Sequence, residues 1–146
     1  MNTEARQLAI EALYEADQRE VAEVGEGLPA RAERMVAGVL EHQAELDRQI
    51  DAVSDHWRIN RMPVVDRAIL RLGLYELLYE RDTPPAVVVA EAVRLAKVFG
   101  TEKSGSFVNG ILATLVTQVK ASRLGSSAKP QGSGMWDQAS EDVSDS

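Results

Sequence analysis

Apolar residues recur every three or four positions through most of this chain, a spacing that predicts helices rather than strands. Ala5, Leu8, Ala9, Ala12, Leu13 and Ala16 form one stripe of a first helix. It starts after Asn2 or Thr3, both N-cap types, and runs to about Arg19. After a loop at Gly25 and Gly27, Pro29 sits where a first helical turn tolerates it. Ala32, Val36, Val39, Leu40, Leu46, Ile50, Val53 and Trp57 then extend one apolar face along a single long helix. Pro63 blocks its continuation, because proline lacks the amide hydrogen and restricts the residue before it.

From Pro63 onward, Val65, Ile69, Leu70, Leu72, Leu74, Leu77 and Leu78 are dense enough to make a helix apolar around most of its circumference. That pattern predicts a buried helix at the hub of the fold. Asp82 and Thr83 precede Pro84 and Pro85, a stop and restart. Val88, Val89, Ala92, Val93, Leu95 and Ala96 carry the next helix to a glycine cap at Gly100. A last helix begins near Ser104 or Ser106 and uses Phe107, Val108, Ile111, Leu112, Leu115, Val116 and Val119. The one β-branched run, at Val87, Val88 and Val89, merges into this helical pattern, so no strand is predicted. The class is all-α, a single-domain bundle of about six to seven helices over residues 1–124. Gly38, Gly73 and Gly110 fall inside predicted helices, where glycine costs about 1 kcal/mol relative to alanine. Close helix crossings would explain them, and tolerated drift is the alternative. Residues 125–146 form a Gly/Ser/acidic tail that cannot support a core and is expected to be disordered, with Trp136 as an isolated aromatic.

A chain of 146 residues suits one domain, which can bury roughly 68–70 % of its unfolded surface. There is no cysteine, which excludes a disulfide framework, a thiolate zinc site and a cysteine nucleophile, and fits a reducing compartment. No basic segment leads into an apolar one at the N-terminus, and no apolar run approaches the ~20 residues of a membrane span. A soluble, cytoplasmic protein without membrane association is expected. The net charge of −7 argues against broad electrostatic binding of nucleic acid. Charge is unevenly placed, however. Asp137, Glu141, Asp142 and Asp145 face only Lys129 in the tail, whereas Arg58, Arg61, Arg67 and Arg71 cluster around only Asp66. Any RNA contact would therefore be local.

His42 and His56 lack metal-ligand spacing, and neither a metal nor another cofactor is expected. Residues 100–106, GTEKSGS, imitate part of a phosphate-binding loop but lack the lysine after the second glycine and follow a helix instead of a strand. They read as a helix-to-helix turn with serine N-caps. No nucleophilic triad or carboxylate pair is suggested by spacing, and no enzymatic activity is expected.

The strings MPVVDRAILRLGLYELLYERDTPPAVVVAEAVRLAKVF from Met62, FVNGIL from Phe107 and EARQLAIEALYEA near the N-terminus closely resemble the NusB family of bacterial transcription antitermination factors. The resemblance runs through Val119 and is weakest between Glu20 and Leu46. It implies an all-helical protein that binds the boxA element of nascent ribosomal RNA and pairs with the small-subunit ribosomal protein also called NusE. With other Nus factors, that complex keeps the RNA polymerase elongation complex processive through ribosomal RNA operons. Family members bind through an arginine-rich start, a tyrosine in the first helix and an acidic residue opening the central helix. Here those patterns match Arg6, Tyr14 and Asp66, with Arg67 beside the last.

Each has a physical role to offer. Arg6 can pair with phosphate or a base edge, Tyr14 can stack on an unpaired base, and Asp66 can accept from an amine. Each also has a structural alternative: Arg6 solvated, Tyr14 at the core edge, Asp66 favouring its helix N-terminus or pairing with Arg67. Asn60, Lys103, Phe107 and Asn109 are candidates for partner contact or for structure. The last three fall in the family's GxxxSxxFVNG pattern, with Phe107 expected as a core ring and Asn109 as an amide tying the loop to the helix.

The start departs from the family pattern. Relatives carry several arginines ahead of the alanine matching Ala5, whereas this chain has only MNTE, and Glu4 and Glu11 add negative charge. RNA affinity of the isolated protein is expected to be weak, unless the true start lies upstream or the ribosomal-protein partner supplies most of the phosphate contacts. Two alternatives remain: a helical interaction or homodimer module without RNA function, and an accessory to ribosomal RNA modification. The same fold occurs as the N-terminal part of certain ribosomal RNA cytosine methyltransferases. Those use a cysteine nucleophile, so this chain is expected to be at most a stand-alone relative.

Overall fold

The computed structural model describes residues 2–19, 27–55 and 57–128; the tail from residue 129 on, with Trp136, and His56 lie outside them. The described residues form six α-helices and a 3-10 turn with no strand: α1 Asn2–Arg19, α2 Ala30–Glu41, α3 Gln43–Val53, the 3-10 turn Ile59–Arg61, α4 Val64–Tyr79, α5 Pro85–Phe99 and α6 Ser104–Ala128. Helix α6 continues past Leu124 to Ala128. Contacts group residues 1–116 into one unit and residues 117–146 into another; the packing below belongs to the first.

Helix α4 is the hub that its leucine density predicts. It packs against α1, α2, α3 and α5, and its Ile69, Leu70, Leu72 and Leu74 are buried. The single long helix expected from residue 29 to residue 57 is instead two. At His42 ψ is 14°, well away from the helical value near −42°, and the axis breaks there. The i→i−4 bonding nonetheless persists, from His42 N–H to Gly38 C=O at 3.1 Å and from Leu46 N–H to His42 C=O at 2.9 Å. The His42 ring stacks on Tyr79 of α4 with centroids 4.4 Å apart. Helix α3 then stops at Val53. The Ser54 hydroxyl donates to the Trp57 carbonyl, and Ile59 N–H donates to Asp51 Oδ1 at 2.6 Å. These bonds turn the chain between Ser54 and Ile59, so Trp57 leaves the apolar face assigned to it.

The interior glycines divide. A Cβ at Gly38 would collide with the Tyr75 ring, and one at Gly73 would lie 3.1 Å from both Leu112 methyls, so both mark the expected close approaches. Gly110 does not: it is exposed, and among the described residues a Cβ there meets nothing within 4 Å. Gly73→Leu is expected to destabilise the fold by roughly 1–3 kcal/mol through overpacking against α6. An unchanged melting temperature would show that α6 yields freely at this point. Among the described residues no helix is long and apolar enough to cross a membrane.

Candidate functional site

The N-terminal end of α4 is built by three connections. Pro63 opens the helix, and Asp66 in its first turn points inward. Asp66 is 4 % exposed, and its Oδ1 accepts from the Ser104 hydroxyl at 2.7 Å. Ser104 Oγ in turn accepts from Thr101 N–H at 3.0 Å, so the α5–α6 turn is fastened to the start of α4. A Cβ at Gly100 would strike the Ser104 hydroxyl. Glycine is therefore required there for space; its φ of −99° is one any residue adopts. Burial raises the Asp66 carboxyl above its ordinary pKa, and the Ser104 hydrogen bond works the other way without cancelling it. The carboxylate expected to face a partner is instead spent inside the protein.

Arg6 departs from expectation in the same direction. Its side chain is 3 % exposed and forms a bidentate pair with Glu76 of α4. Nε lies 2.8 Å from Oε2 and 3.0 Å from Oε1, and Nη2 lies 2.7 Å from Oε1. Burial works against the charge, but hydrogen bonding and attraction from Glu76, with Glu91 and Glu80 adding, outweigh it and raise the Arg6 pKa. Arg67 is similarly engaged. It donates to both carboxylate oxygens of Asp17 in α1, at 2.8 and 3.0 Å, and to the carbonyls of Asn60 and Met62. Arg71 donates to both oxygens of Asp47 in α3, at 2.7 and 2.9 Å, and lies 3.8 Å from Asp17. Two of the four clustered arginines are thus absorbed in a ladder joining α1, α4 and α3.

What stays outside is aromatic. Tyr14 is 38 % exposed and lines an open groove of about 320 Å3 with Ile10, Glu11, Val65 and Phe99. Its hydroxyl accepts from Gln18 Nε2 at 3.0 Å. Trp57 is 48 % exposed and tilts against Phe107 of α6 with centroids 5.8 Å apart. Phe107, expected as a core ring, is only half-buried. Arg58, Asn60, Arg61, Lys103 and Asn109 are all exposed, and Lys103 stands one turn before Phe107, whose N–H donates to its carbonyl at 3.1 Å. Asn109 is not the tie between loop and helix; Ser104 and Thr101 make that link. Arg58 lies 3.8 Å from Asp51 with its side chain 75 % exposed, free to reorient. Periodicity missed Trp57 by assigning it to a buried face. The available signal was its position between the glycine-free end of a helical pattern and Pro63, next to Arg58 and Arg61.

The arrangement offers an apolar groove, and beside the 3-10 turn an exposed indole with arginines and a lysine nearby. Neither carries a nucleophile poised by a base. Residues 3–117 match the model of the NusB family. The chain is 45 % identical over 123 residues to the transcription antitermination protein NusB of Acidothermus cellulolyticus, covering 77 % of this chain and 85 % of that protein. It is 40 % identical over 125 residues to the protein of the same name from Bacillus velezensis, covering 80 % and 96 %. Among solved structures, NusB of T. maritima is similar with a TM-score of 0.71 and 34 % identity, over 81 % of this chain and 92 % of that one. A chain in a complex of the antitermination factors NusB and NusE with double-stranded RNA is similar with a TM-score of 0.70 and 28 % identity, over 80 % and 96 %.

Proposed function

Because the chain belongs to the NusB family, we propose that it is a transcription antitermination factor. It binds the boxA-type leader of ribosomal RNA together with the NusE ribosomal protein and keeps RNA polymerase processive on ribosomal RNA operons, working in the cytoplasm. The observation that carries the assignment of surfaces is the exposure of Tyr14 and Trp57 at the end of α4, where most charge is neutralised internally.

The two surfaces differ in chemistry, and so do their roles. The Tyr14 groove is apolar apart from Glu11 and holds no cation among its lining residues, which suits a protein side chain and not a phosphate. It receives the ribosomal protein. Trp57 presents an aromatic face with Arg58, Arg61 and Lys103 in its neighbourhood, the combination that holds an unpaired base and its phosphates. It receives the RNA. Asp66, Arg67 and Arg6 act behind these surfaces by fixing the helices that carry them.

Tyr14→Ala is expected to weaken binding of the NusE-type protein by about 1–2 kcal/mol, roughly tenfold in Kd, while leaving the melting temperature unchanged. Trp57→Ala is expected to weaken RNA binding by about 1–3 kcal/mol without affecting the protein partner. Calorimetry on each pair reads both. Wild-type affinities in both variants would remove these surfaces from the assembly and favour a helical module that works without RNA.

A further inference from the structure

Helix α4 carries a second cleft at its other end, about 20 Å from Val65 at 1.5 Å per residue. This cleft, about 660 Å3 in volume, has no part in the surfaces assigned above. Arg31 and Arg34 of α2 and Arg81 of the α4–α5 turn line it, against an apolar wall that includes Pro84 and Val87. Glu80 holds two of the cations in place, accepting from Arg31 Nη2 at 3.1 Å and lying 3.8 Å from Arg34 Nε. One carboxylate is thus divided between two guanidinium groups. Arg31 Nε is buried with no hydrogen-bond partner among the described residues, so the protein leaves part of that group's donor capacity unused. Arg81 is exposed, and the side chain of Arg34 is 57 % exposed. The first turns of α2 and α5 border the same space with their partial positive charge, and the last turn of α4 with its partial negative charge, so the cationic character comes from the arginines.

We propose that this cleft is an anion site that takes phosphates of the RNA backbone. Three guanidinium groups against Glu80 and Asp82 leave it cationic in a chain of net charge −7, and the planar guanidinium fork matches phosphate geometry. Bases are not read there. The Tyr79 ring at its edge is already stacked on His42, and its hydroxyl donates to Glu45 at 3.0 Å. The contact therefore adds affinity without sequence preference and extends the RNA path away from Trp57. The inference rests on the RNA-binding function proposed above.

The test measures binding of fluorescein-labelled boxA-type and scrambled RNA by the full chain in complex with the NusE-type protein. It compares wild type with Arg34→Gln/Arg81→Gln, and with Arg48→Glu, an exposed α3 substitution that makes the same change in net charge. The double variant is expected to lose roughly tenfold or more in affinity for both RNAs near 0.1 M salt, and its log–log salt slope to become shallower by about 1.4 for two lost contacts. Arg48→Glu is expected to match wild type, and melting temperatures of all three to coincide. Wild-type affinity in the double variant, or an equal loss in Arg48→Glu, overturns the proposal. Retained RNA binding with loss of the ribosomal protein also overturns it, and marks the cleft as a dock for an acidic protein surface. If wild type shows no boxA preference yet the double variant loses affinity for both RNAs, the cleft stands and the antitermination reading falls. If wild type binds neither RNA, both fall.

Discussion

Arg6→Ala is expected to destabilise the protein by about 3–5 kcal/mol, the cost of leaving the buried Glu76 carboxylate without its cation. For a chain of this size that corresponds to a melting temperature lower by roughly 10 °C or more. The pair is expected to be replaceable as a unit. Arg6→Leu/Glu76→Leu, which removes both charges, should recover most of the loss, because the desolvation penalty disappears with the attraction. RNA affinity of the folded fraction should be unchanged in either variant, since the guanidinium does not reach the surface. A native melting curve for Arg6→Ala, or a selective loss of RNA binding with intact stability, would contradict this placement.

Asp66→Lys carries the next largest effect. It would put an ammonium group beside Ser104 in a site that is 4 % exposed, and about 3 kcal/mol or more of stability should be lost. Lost assembly in that variant would then report unfolding of the α4 start and not recognition. Asp66→Asn is the discriminating change, because it keeps an acceptor for the Ser104 hydroxyl. It also has a pH signature. Burial raises the folded-state pKa of Asp66, so the folded protein holds that proton more tightly than the unfolded chain does. The resulting stabilisation is present below the unfolded pKa and is lost as pH rises through the folded one. Wild type should therefore lose stability relative to Asp66→Asn as pH rises from acid toward neutral. Denaturant melts of both proteins across that range check the sign, and a gap that moves the other way would mean the carboxylate is stabilised in place.

The elements that sequence alone reveals are those set by local periodicity. Helices α1, α4 and α5 and the hub role of α4 follow from apolar spacing and from the prolines at residues 63, 84 and 85. The break at His42, between α2 and α3, carries no such marker, and its ring stacks on Tyr79 of α4, a contact visible only once the helices are assembled. The same limit governs the site. Arg6 and Glu76 are 70 positions apart, and Arg67 and Asp17 are 50 apart. A charged residue whose partner lies that far along the chain reads as solvated or ligand-binding until the helices are assembled. Asp66 met the same fate through Ser104, 38 positions away. Tyr14 is a candidate through the family resemblance, and its place off the apolar stripe of Leu13 and Ala16 agrees with its exposure. Trp57 was not legible as one, because a loop closed by Ser54 and Asp51 turns it out of the apolar stripe. The family resemblance concerns the scaffold as a whole, whereas the burial of Arg6 and Asp66 is visible only in the assembled helices. The protein keeps the scaffold of its relatives, and within it Arg6 is committed to the core.

The most direct test of the central claim is fluorescence anisotropy with labelled boxA-type RNA and a scrambled control, titrated with this protein alone, the NusE-type ribosomal protein alone, and the two premixed. The pair is expected to bind boxA-type RNA more tightly than scrambled RNA and far more tightly than either protein does by itself. No preference for boxA in the premixed pair, or no gain in affinity from combining the two folded proteins, would contradict the assignment.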